Sequence, residues 1–317
     1  MKIIKIELNS LPLKIKPTVA CIGYFDGIHK GHQKLINTAL KVAKKEDLPT
    51  SLITFDPDPW VVLKNLKSVS HLTTLKQRIN ILNSMGIDYL YLVKFDKELS
   101  KLTPDQFVRE LLIPLQIKSL VCGFDYTYGH FGNGKASDLL KYPEFKTVVV
   151  KAVNYRKEKI SSTRIEKEIS NGNFTMVNKL LGYPYQTSGK VIKGHQVGRT
   201  INYRTANILL DEEYVLPLDG VYCGWIRYDQ KFYQAMINLG HNSSFNYRQQ
   251  HSLEVHILDF NQDIYAKKLT VIWLKKIRDE KEFSSPAELK KQLVKDEKVV
   301  RSYLNNRKAM LSYSQGA

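Results

Sequence analysis

Short apolar runs alternate with amphipathic stretches in the first half of the chain. Between the apolar runs, hydrophobic residues recur at helical spacing, as in residues 35–43 and 75–82, and Thr103 followed by Pro104 is typical of a helix start. Because strands that alternate with helices form parallel sheets, this half is predicted to be an α/β domain. The predicted strands are residues 19–25, 51–55, 89–95, 120–124 and 147–153.

The second half of the chain has a different periodicity. Two short helices are predicted over residues 163–181, interrupted at residues 171–173, and a last helix is predicted from about Ser285. We expect residues 1–183 and 184–317 to form separate domains, the second an antiparallel β-sheet or β-barrel. Its predicted strands follow one another without long helices, at residues 189–192, 221–228, 232–239, 253–260 and 268–274.

The composition is that of an ordinary folded protein. The 317 residues are enough for two domains with separate cores, and 43% hydrophobic and 25% charged residues are typical of globular chains. Cys21, Cys122 and Cys223 lie far apart without a CxxC pair, which favours a reduced protein in the cytoplasm. No stretch approaches about 20 apolar residues, so we expect neither a signal peptide nor a membrane segment.

The net charge of +17 raises the question of a nucleic-acid partner. The lysines are scattered, for example at residues 41–45, 64–67 and 275–276, rather than gathered in one basic stripe. We therefore expect small anionic molecules as partners, and we keep a basic nucleic-acid-binding protein on an enzyme fold as the alternative. The sequence leaves open whether the chain forms a homo-oligomer.

A cluster of residues suited to phosphate chemistry, GYFDGIHKGH, follows the strand predicted at residues 19–25. Gly23 and Phe25 begin a turn that leads into a helix, where free N–H groups and the helix dipole stabilise anions. His29 and His32 can both face one phosphate group, and Gly31 between them allows close backbone approach. The segment predicts a triphosphate site, and two polar histidines on a surface turn are the alternative.

A second phosphate-binding segment, ISSTRI, opens a later helix. Ser161, Ser162 and Thr163 offer hydroxyl groups and Arg164 offers a guanidinium, groups that can hold the β- and γ-phosphates of ATP. On its own, an ordinary helix cap is the alternative for this segment.

A third segment, GHFGNGK at residues 129–135, has the spacing of a P-loop. Ala136 stands where the metal-binding Ser or Thr should follow, so we reject a P-loop here. The neighbouring residues 122–129 follow the carboxyl end of a predicted strand, where α/β folds bind ligands. We expect this region to shape the site for the phosphate acceptor.

Candidate phosphoryl-transfer residues occur in the second half. Thr205 and Asn207 lie two residues apart on an extended segment, so their side chains point the same way and offer oxygen ligands to a hard cation such as Mg²⁺. Strand alternation places Glu254 on one face with His256 and Leu258, where its carboxylate could take a proton from an attacking alcohol. Ordinary strand residues and a solvent-facing glutamate are the alternatives.

These motifs resemble a known family. The two histidines resemble the HxGH signature of nucleotidyltransferases, and FDGIHKGHQ, TFDPDP, LTTLKQR, GFDYTYG and ISSTRI are similar in order and spacing to bacterial bifunctional riboflavin kinase/FAD synthetases. A cytidylyltransferase shares HxGH but does not explain the β domain. The resemblance implies a Rossmann-like nucleotidyltransferase domain in which the phosphate of FMN attacks the α-phosphate of ATP, with Mg²⁺, to give FAD and pyrophosphate.

The resemblance also implies roles for individual residues of the first domain. His29 and His32 would be catalytic, and Asp125 would lie on the flavin side of the site. ATP would be bound by Gly23, Phe25, Gly31, Ser161, Ser162, Thr163 and Arg164.

For the second domain, the resemblance implies a small antiparallel β-barrel of the riboflavin kinase type with a C-terminal helix. Thr205 and Asn207 would hold the metal, and Glu254 would be the base. Gly194 would lie near the nucleotide and Arg278 near the flavin. Riboflavin and ATP would be its substrates and FMN its product.

Three loops of the second domain depart from the family pattern. The usual GFPTAN is NYRTAN at residues 202–207, the usual GTxPTF is GHNSSF at residues 240–245, and the usual LYGK is IYAK at residues 264–267. Retention of the threonine, asparagine and glutamate favours an active kinase. An FAD synthetase whose second domain binds flavin without phosphorylating it is the alternative.

Overall fold

The computed structural model describes residues 1–10, 15–193, 203–240 and 252–305. They divide into two units. The first comprises residues 1–69 and 75–161, and the second comprises residues 70–74 and the chain from Ser162 onward. Each unit contains its own sheet and its own buried residues.

A six-stranded parallel sheet forms the centre of the first unit. The strands of this unit are β1 (Lys2–Ile6), β2 (Thr18–Ile22), β3 (Thr50–Asp56), β4 (Tyr89–Lys94), β5 (Ile117–Gly123), β6 (Thr127–Tyr128), β7 (Gly134–Lys135), β8 (Lys146–Val150), β9 (Asn154–Tyr155) and β10 (Glu158–Lys159). The sheet has the order β1-β4-β3-β2-β5-β8. Because β3 and β5 lie on opposite sides of β2, the carboxyl end of β2 is the switch point at which such sheets bind ligands.

Helices cover the sheet and connect its strands. The predicted helix start at Thr103 is confirmed, because its hydroxyl accepts a hydrogen bond from the Gln106 N–H at 3.3 Å and the Gln106 side chain accepts one from the Thr103 N–H at 3.0 Å. The helices are α1 (Lys30–Glu46), α2 (Pro59–Leu63), α3 (Leu75–Ser84), α4 (Lys97–Lys101) and α5 (Pro104–Gln106), which continues as a π-helix over Phe107–Leu112. Short 3₁₀ turns span Asp26–Ile28, His130–Gly132 and Asp138–Lys141.

The segment with P-loop spacing at residues 129–135 forms a different structure. Strand β6 pairs with β7 in an antiparallel hairpin, and the His130–Gly132 turn joins them. A P-loop instead connects a strand to a helix, so this geometry agrees with the rejection of that motif.

A closed antiparallel barrel forms the centre of the second unit. In one of its strands, Leu253, Val255 and Ile257 are buried and alternate with half-exposed residues, as expected for a strand with one face toward a core. A Cβ atom at Gly224 would collide with the Ile272 carbonyl oxygen, so this glycine permits close strand approach. The strands are β11 (Tyr185–Ile192), β12 (Ala206–Leu210), β13 (Gly220–Tyr228), β14 (Lys231–Gly240), β15 (Ser252–Ile257) and β16 (Lys268–Arg278), in the order β11-β12-β15-β14-β13-β16.

Three helices pack in the described part of the second unit: α6 (Ser162–Ser170), α7 (Phe174–Leu181) and α8 (Pro286–Asn305). The first two match the predicted pair of short helices. Phe174 of α7 is fully buried and stacks on Trp273 of β16 with ring centroids 5.3 Å apart. Asn178 donates a hydrogen bond to the Trp273 carbonyl oxygen at 3.0 Å. The contacts therefore divide the chain between Ser161 and Ser162, whereas the predicted boundary followed these helices.

The predicted fold classes of both halves are confirmed. Of the described strands in the six-stranded sheet and the barrel, two were not predicted, and the two-residue strands β6, β7, β9 and β10 were not predicted either. Strand β1 lies at the edge of the sheet and is half exposed. Strand β12 is short and follows residues 202–204, where NYR replaces the usual GFP of the family pattern. Among the helices that the structure describes, none combines the length and the apolar character that a membrane crossing needs.

Candidate active sites

The first candidate site lies at the carboxyl end of β2, where the chain turns into α1. Gly23 continues the strand, since its N–H donates to a carbonyl oxygen of β3 at 3.1 Å. Phe25 then adopts a left-handed conformation with a φ of 60°, and Gly27 has a φ of 79°. These reversals turn the chain so that His29 becomes the N-cap of α1.

His29 and His32 lie face to face at the start of α1. Their ring centroids are 3.7 Å apart, and the ring planes differ by 13°. The Nδ1 atom of His29 accepts a hydrogen bond from the His32 backbone N–H at 3.2 Å. Phe25 contacts the His32 ring edge-on, with centroids 5.2 Å apart. The structure therefore brings the two predicted histidines together on one turn of helix.

Burial favours the neutral form of both imidazoles. Burial lowers the pKa of His29 to about 4, and the positive charge of Lys159 acts in the same direction. Burial also lowers the pKa of His32 well below its usual value, and His29, Arg78 and Lys159 add to that effect. Within the described part of the chain, the buried Nδ1 of His32 has no hydrogen-bond partner. A phosphate placed here would accept a hydrogen bond from the pair and favour protonation.

Gly31 is required by the packing of His29. A Cβ atom at position 31 would lie 2.9 Å from Cε1 of His29 and 3.5 Å from the Ile160 carbonyl oxygen. Any larger residue would therefore push the His29 ring out of place. The same contact brings Ile160, the first residue of ISSTRI, beside the histidine turn.

Arg78 supports this turn and was not predicted as a site residue. Its side chain is 4% exposed, and its Nη1 atom donates a hydrogen bond to the Tyr24 carbonyl oxygen at 2.8 Å. Thr54 donates to the same oxygen at 2.8 Å. The Arg78 guanidinium also lies over the Tyr24 ring, 4.7 Å from its centroid. A positive charge is thus held beneath the predicted phosphate site.

An aromatic cavity of about 700 Å³ opens beside the turn. Gly23 and Tyr24 belong to its wall, so it adjoins the histidine site. Such a lining suits a planar, largely apolar ligand. Its aromatic residues are Tyr24, Phe55, Trp60, Phe95, Phe107, Tyr126, Tyr128 and Phe131.

The predicted flavin residue Asp125 lines this cavity. The ammonium group of Lys159 donates a hydrogen bond to its carboxylate and lies over the Phe124 ring, 5.1 Å from the centroid. Sequence reasoning missed Lys159, although its position directly before ISSTRI was a signal. Asp125 and Lys159 join the cavity to the histidines, because both charges influence His29.

The ISSTRI segment spans the division of the chain into units. Ser161 ends the first unit, and Ser162 begins both α6 and the second unit. Thr163 is exposed, and Ser162 and Arg164 are half-buried. Their predicted roles with ATP stay predictions.

The second candidate site lies where β12 begins. Thr205 donates a hydrogen bond from Oγ1 to Oε2 of Glu254 at 3.2 Å. Asn207 is buried and lies directly opposite Glu254 in the pairing of β12 with β15. Thr205 and Asn207 line a cavity of about 430 Å³. The structure therefore brings together all three residues predicted for metal binding and base catalysis in this half.

Arg278 and Gly194 are the two further residues predicted for this half. Arg278 forms an ion pair with the buried Asp296 of α8, with Nε and Nη2 each 2.9 Å from Oδ2. Gln292 donates to the other oxygen of Asp296 at 2.8 Å. Gly194 lies outside the described residues.

Comparison with known proteins follows the division into two halves. A family model described as FAD synthetase matches residues 12–164, and one described as riboflavin kinase matches residues 181–304. A bifunctional riboflavin kinase/FMN adenylyltransferase from Listeria monocytogenes is 40% identical over 288 residues, which cover 90% of this chain and 92% of that protein. The chain belongs to this bifunctional family.

Two other relatives cover most of the chain. The Bacillus subtilis bifunctional riboflavin kinase/FMN adenylyltransferase is 37% identical and covers 91% of this chain and 93% of its own length. A Streptococcus pneumoniae crystal structure described as a macrolide-efflux protein has a TM-score of 0.87 and 37% identity, and it covers 95% of this chain and 99% of its own. The fold is therefore shared along nearly the whole length.

Within the family pattern, the IYAK departure has a structural consequence. Ala266 has a φ of 56°, a left-handed conformation that glycine adopts at little cost. Its N–H donates to the Val191 carbonyl oxygen at 3.1 Å, which holds the loop in that shape. Ala266 thus adopts a backbone conformation that suits the glycine of the family pattern LYGK. The GHNSSF departure lies outside the described residues from His241 onward.

Proposed function

We propose that the chain makes FAD from riboflavin in two steps, phosphorylation in the second unit and adenylyl transfer in the first. Membership of the bifunctional family supports the pair of activities. The observation that carries adenylyl transfer is the stacked His29–His32 pair, which adjoins an aromatic cavity at the switch point of the sheet.

In the first unit, a phosphate oxygen of FMN attacks the α-phosphorus of ATP. The bond from that phosphorus to the bridging oxygen breaks, and pyrophosphate leaves. His29 and His32 hydrogen-bond phosphate oxygens and stabilise the departing charge. The step needs no covalent nucleophile, because positioning and charge stabilisation supply the catalysis. The other nucleotide-binding residues proposed here are Gly23, Phe25, Gly31, Ser161, Ser162, Thr163 and Arg164.

The aromatic cavity receives the isoalloxazine ring of FMN in this proposal. Stacking on tyrosine and tryptophan faces excludes water from the ring and orients its phosphate toward the histidines. Asp125 lies on the flavin side of the site. Lys159 donates a hydrogen bond to its carboxylate when no ligand competes for the positive charge of Lys159.

In the second unit, Glu254 accepts the proton of the primary alcohol of riboflavin as the alcohol oxygen attacks the γ-phosphorus of ATP. The bond to the bridging oxygen breaks and ADP leaves. Thr205 keeps the carboxylate oriented through their 3.2 Å hydrogen bond. Gly194 near the nucleotide and Arg278 near the flavin stay predictions.

The side chains of Thr205 and Asn207 fit Mg²⁺. Both offer oxygen donors beside the Glu254 carboxylate. Magnesium prefers oxygen ligands and commonly completes its shell with substrate phosphates and water. When bound, it would neutralise charge on the transferring phosphate.

A cytoplasmic location belongs to the same proposal. Cys21, Cys122 and Cys223 are buried and form no disulfide within the described residues, as expected in a reducing compartment. One observation favours the narrower alternative of an FAD synthetase with a silent kinase: the barrel carries Ala266 in a conformation suited to glycine.

The test is to identify the products formed with ATP and Mg²⁺ from riboflavin or from FMN. The wild-type protein is expected to give FAD from both. His32→Ala should lose at least about 100-fold of FAD formation yet still convert riboflavin to FMN, as for loss of a charge-stabilising group. Glu254→Gln should do the reverse.

The activity that each variant keeps controls for protein concentration, and urea unfolding compared with the wild-type protein shows whether the substituted unit remains folded. If the wild-type protein forms FAD from FMN but not from riboflavin, the narrower alternative of an FAD synthetase with a silent kinase is supported. Absence of FAD from both substrates would refute the proposed function. Loss of both activities in either folded variant would contradict two separate sites.

A further inference from the structure

Arg204 occupies a distinctive position in the barrel cavity. The family pattern usually has proline at this position, directly before the predicted metal ligands. Here Arg204 lines the same 430 Å³ cavity as Thr205 and Asn207, and its guanidinium contacts Asn261, another residue of the lining. The substitution therefore places a permanent positive charge beside the residues proposed for phosphoryl transfer.

The backbone around Arg204 is held by several contacts. Tyr203 is buried, and its hydroxyl donates to Oε2 of Glu297 on α8 at 3.0 Å. The Arg204 carbonyl oxygen accepts a hydrogen bond from Nδ1 of His256 at 2.7 Å. Thr205 is bonded to Glu254. These three consecutive residues are thus anchored to two elements, α8 and β15, which fixes the backbone that carries Arg204.

The guanidinium has a neutral partner. Its Nη1 atom donates a hydrogen bond to Oδ1 of Asn261 at 3.1 Å. Within the described residues, this is the only hydrogen bond of the Arg204 side chain. Asp263 also lines the cavity, and its Oδ1 accepts from the Tyr265 N–H at 2.9 Å. A guanidinium carries five N–H donors in a planar fork that matches phosphate. Arg204 therefore retains donors and charge for an anionic ligand.

We infer that Arg204 binds a phosphate group of a kinase ligand in this cavity. The inference rests on the proposed kinase function and adds a residue that the family pattern lacks. Two kinase ligands carry phosphate: the nucleotide and the product FMN. The chemistry recognised is the same, and the experiment separates the two sources.

The test compares steady-state riboflavin phosphorylation by the wild-type protein, Arg204→Gln and Arg204→Lys, with FMN and FAD counted together. Loss of a hydrogen bond to a charged group is expected to raise the KM for ATP about tenfold in Arg204→Gln. Arg204→Lys should recover part of this, because it keeps the charge but not the fork. The kcat should change much less, and the KM for riboflavin should stay unchanged.

If the phosphate belongs to FMN instead, Arg204→Gln should weaken product inhibition by FMN about tenfold while the KM for ATP is unchanged. Lys231→Gln is the charge-matched control, because Lys231 is exposed on β14 and outside the cavity lining. It should leave every constant unchanged. Urea unfolding followed by tryptophan fluorescence reports whether the barrel of each variant remains folded, because Trp225 and Trp273 lie in its strands.

Unchanged constants for ATP and FMN in Arg204→Gln, or a rise confined to riboflavin, would overturn the inference. A wild-type protein that does not phosphorylate riboflavin would contradict the proposed kinase function. Calorimetric titration with Mg–ADP then decides separately about Arg204. Arg204→Gln should lose or weaken one nucleotide site relative to the wild-type protein, and titrations identical to the wild type both with Mg–ADP and with FMN would refute the phosphate contact.

Discussion

At the scale of single residues, Ala266 shows how a departure from the family pattern can be retained at a cost. Its left-handed backbone brings Cβ close to its own carbonyl group, which costs a non-glycine residue about 1–2 kcal/mol. The hydrogen bond to Val191 opposes relaxation of the loop. The cost therefore falls on the stability of the barrel.

Replacing Ala266 with glycine should remove that strain. We expect Ala266→Gly to raise the free energy of unfolding of the barrel by about 0.5–1 kcal/mol, the strain relief being partly offset by the greater backbone entropy of glycine. Urea unfolding followed by tryptophan fluorescence measures the change. Ala287→Gly in α8 is the matched control and should lower the free energy of unfolding, because glycine is a poor helix former. Equal effects of the two substitutions would contradict strain at position 266.

Residues of the site that depend on local motifs were predictable, and those that depend on long-range packing were not. His29, His32 and Gly31 form a short pattern at a strand-to-helix turn. Arg78 reaches Tyr24 across 54 positions of sequence, and no local spacing signals that contact. Lys159 likewise meets Asp125 only through the fold.

At the scale of elements, the start of α1 depends on a titratable cap. The N-cap acceptor is Nδ1 of His29, which must stay unprotonated to accept the hydrogen bond from the His32 N–H. The pKa of His29 is about 4, below its usual value of 6.5. The unfolded chain therefore binds a proton between these values that the folded chain does not, so stability falls as the pH falls from 6.5 to 4.

This linkage predicts a pH dependence that one substitution reduces. His29 alone should make the free energy of unfolding about 2 kcal/mol lower at pH 5 than at pH 7. In His29→Asn, the side-chain oxygen still caps the helix but does not titrate, so the fall should shrink by that amount. Urea unfolding at the two pH values measures the difference. Parallel pH profiles for the two proteins would contradict a titrating cap.

The elements were predictable where the hydrophobic period was unambiguous. Buried β2 and β3 and the pair α6 and α7 follow directly from their apolar patterns. Strand β1 was not predicted from its sequence KIIKI. It is half exposed at the edge of the sheet, where little burial is needed and the hydrophobic pattern is therefore weak. Pairing order and closure of the barrel arise from contacts between distant strands, which periodicity does not specify.

At the scale of the whole molecule, the two proposed activities are linked by chemistry. FMN is the product of one and the substrate of the other. The net charge of +17 favours encounter with anionic ATP and FMN at both sites. This use of the charge needs no basic stripe, in agreement with the scattered lysines.

The division between units matters for how the chain can be cut. Phe174 lies in an aromatic cluster with Tyr185, Tyr222 and Trp273. A fragment that begins at the predicted boundary, residue 184, would lose Phe174 and expose its neighbours. A fragment that begins at Ser162 would keep the cluster intact, and both would equally lack residues 70–74.

We expect residues 162–317 to unfold cooperatively and phosphorylate riboflavin, and residues 184–317 to be less stable by about 3 kcal/mol or more, the cost of losing a buried phenylalanine. Urea unfolding followed by tryptophan fluorescence compares them. If the shorter fragment does not fold, Phe174→Ala in the longer one supplies the same measurement, with the half-buried Phe283→Ala as control. Equal unfolding midpoints would mean that α6 and α7 contribute nothing to the barrel, despite the burial of Phe174.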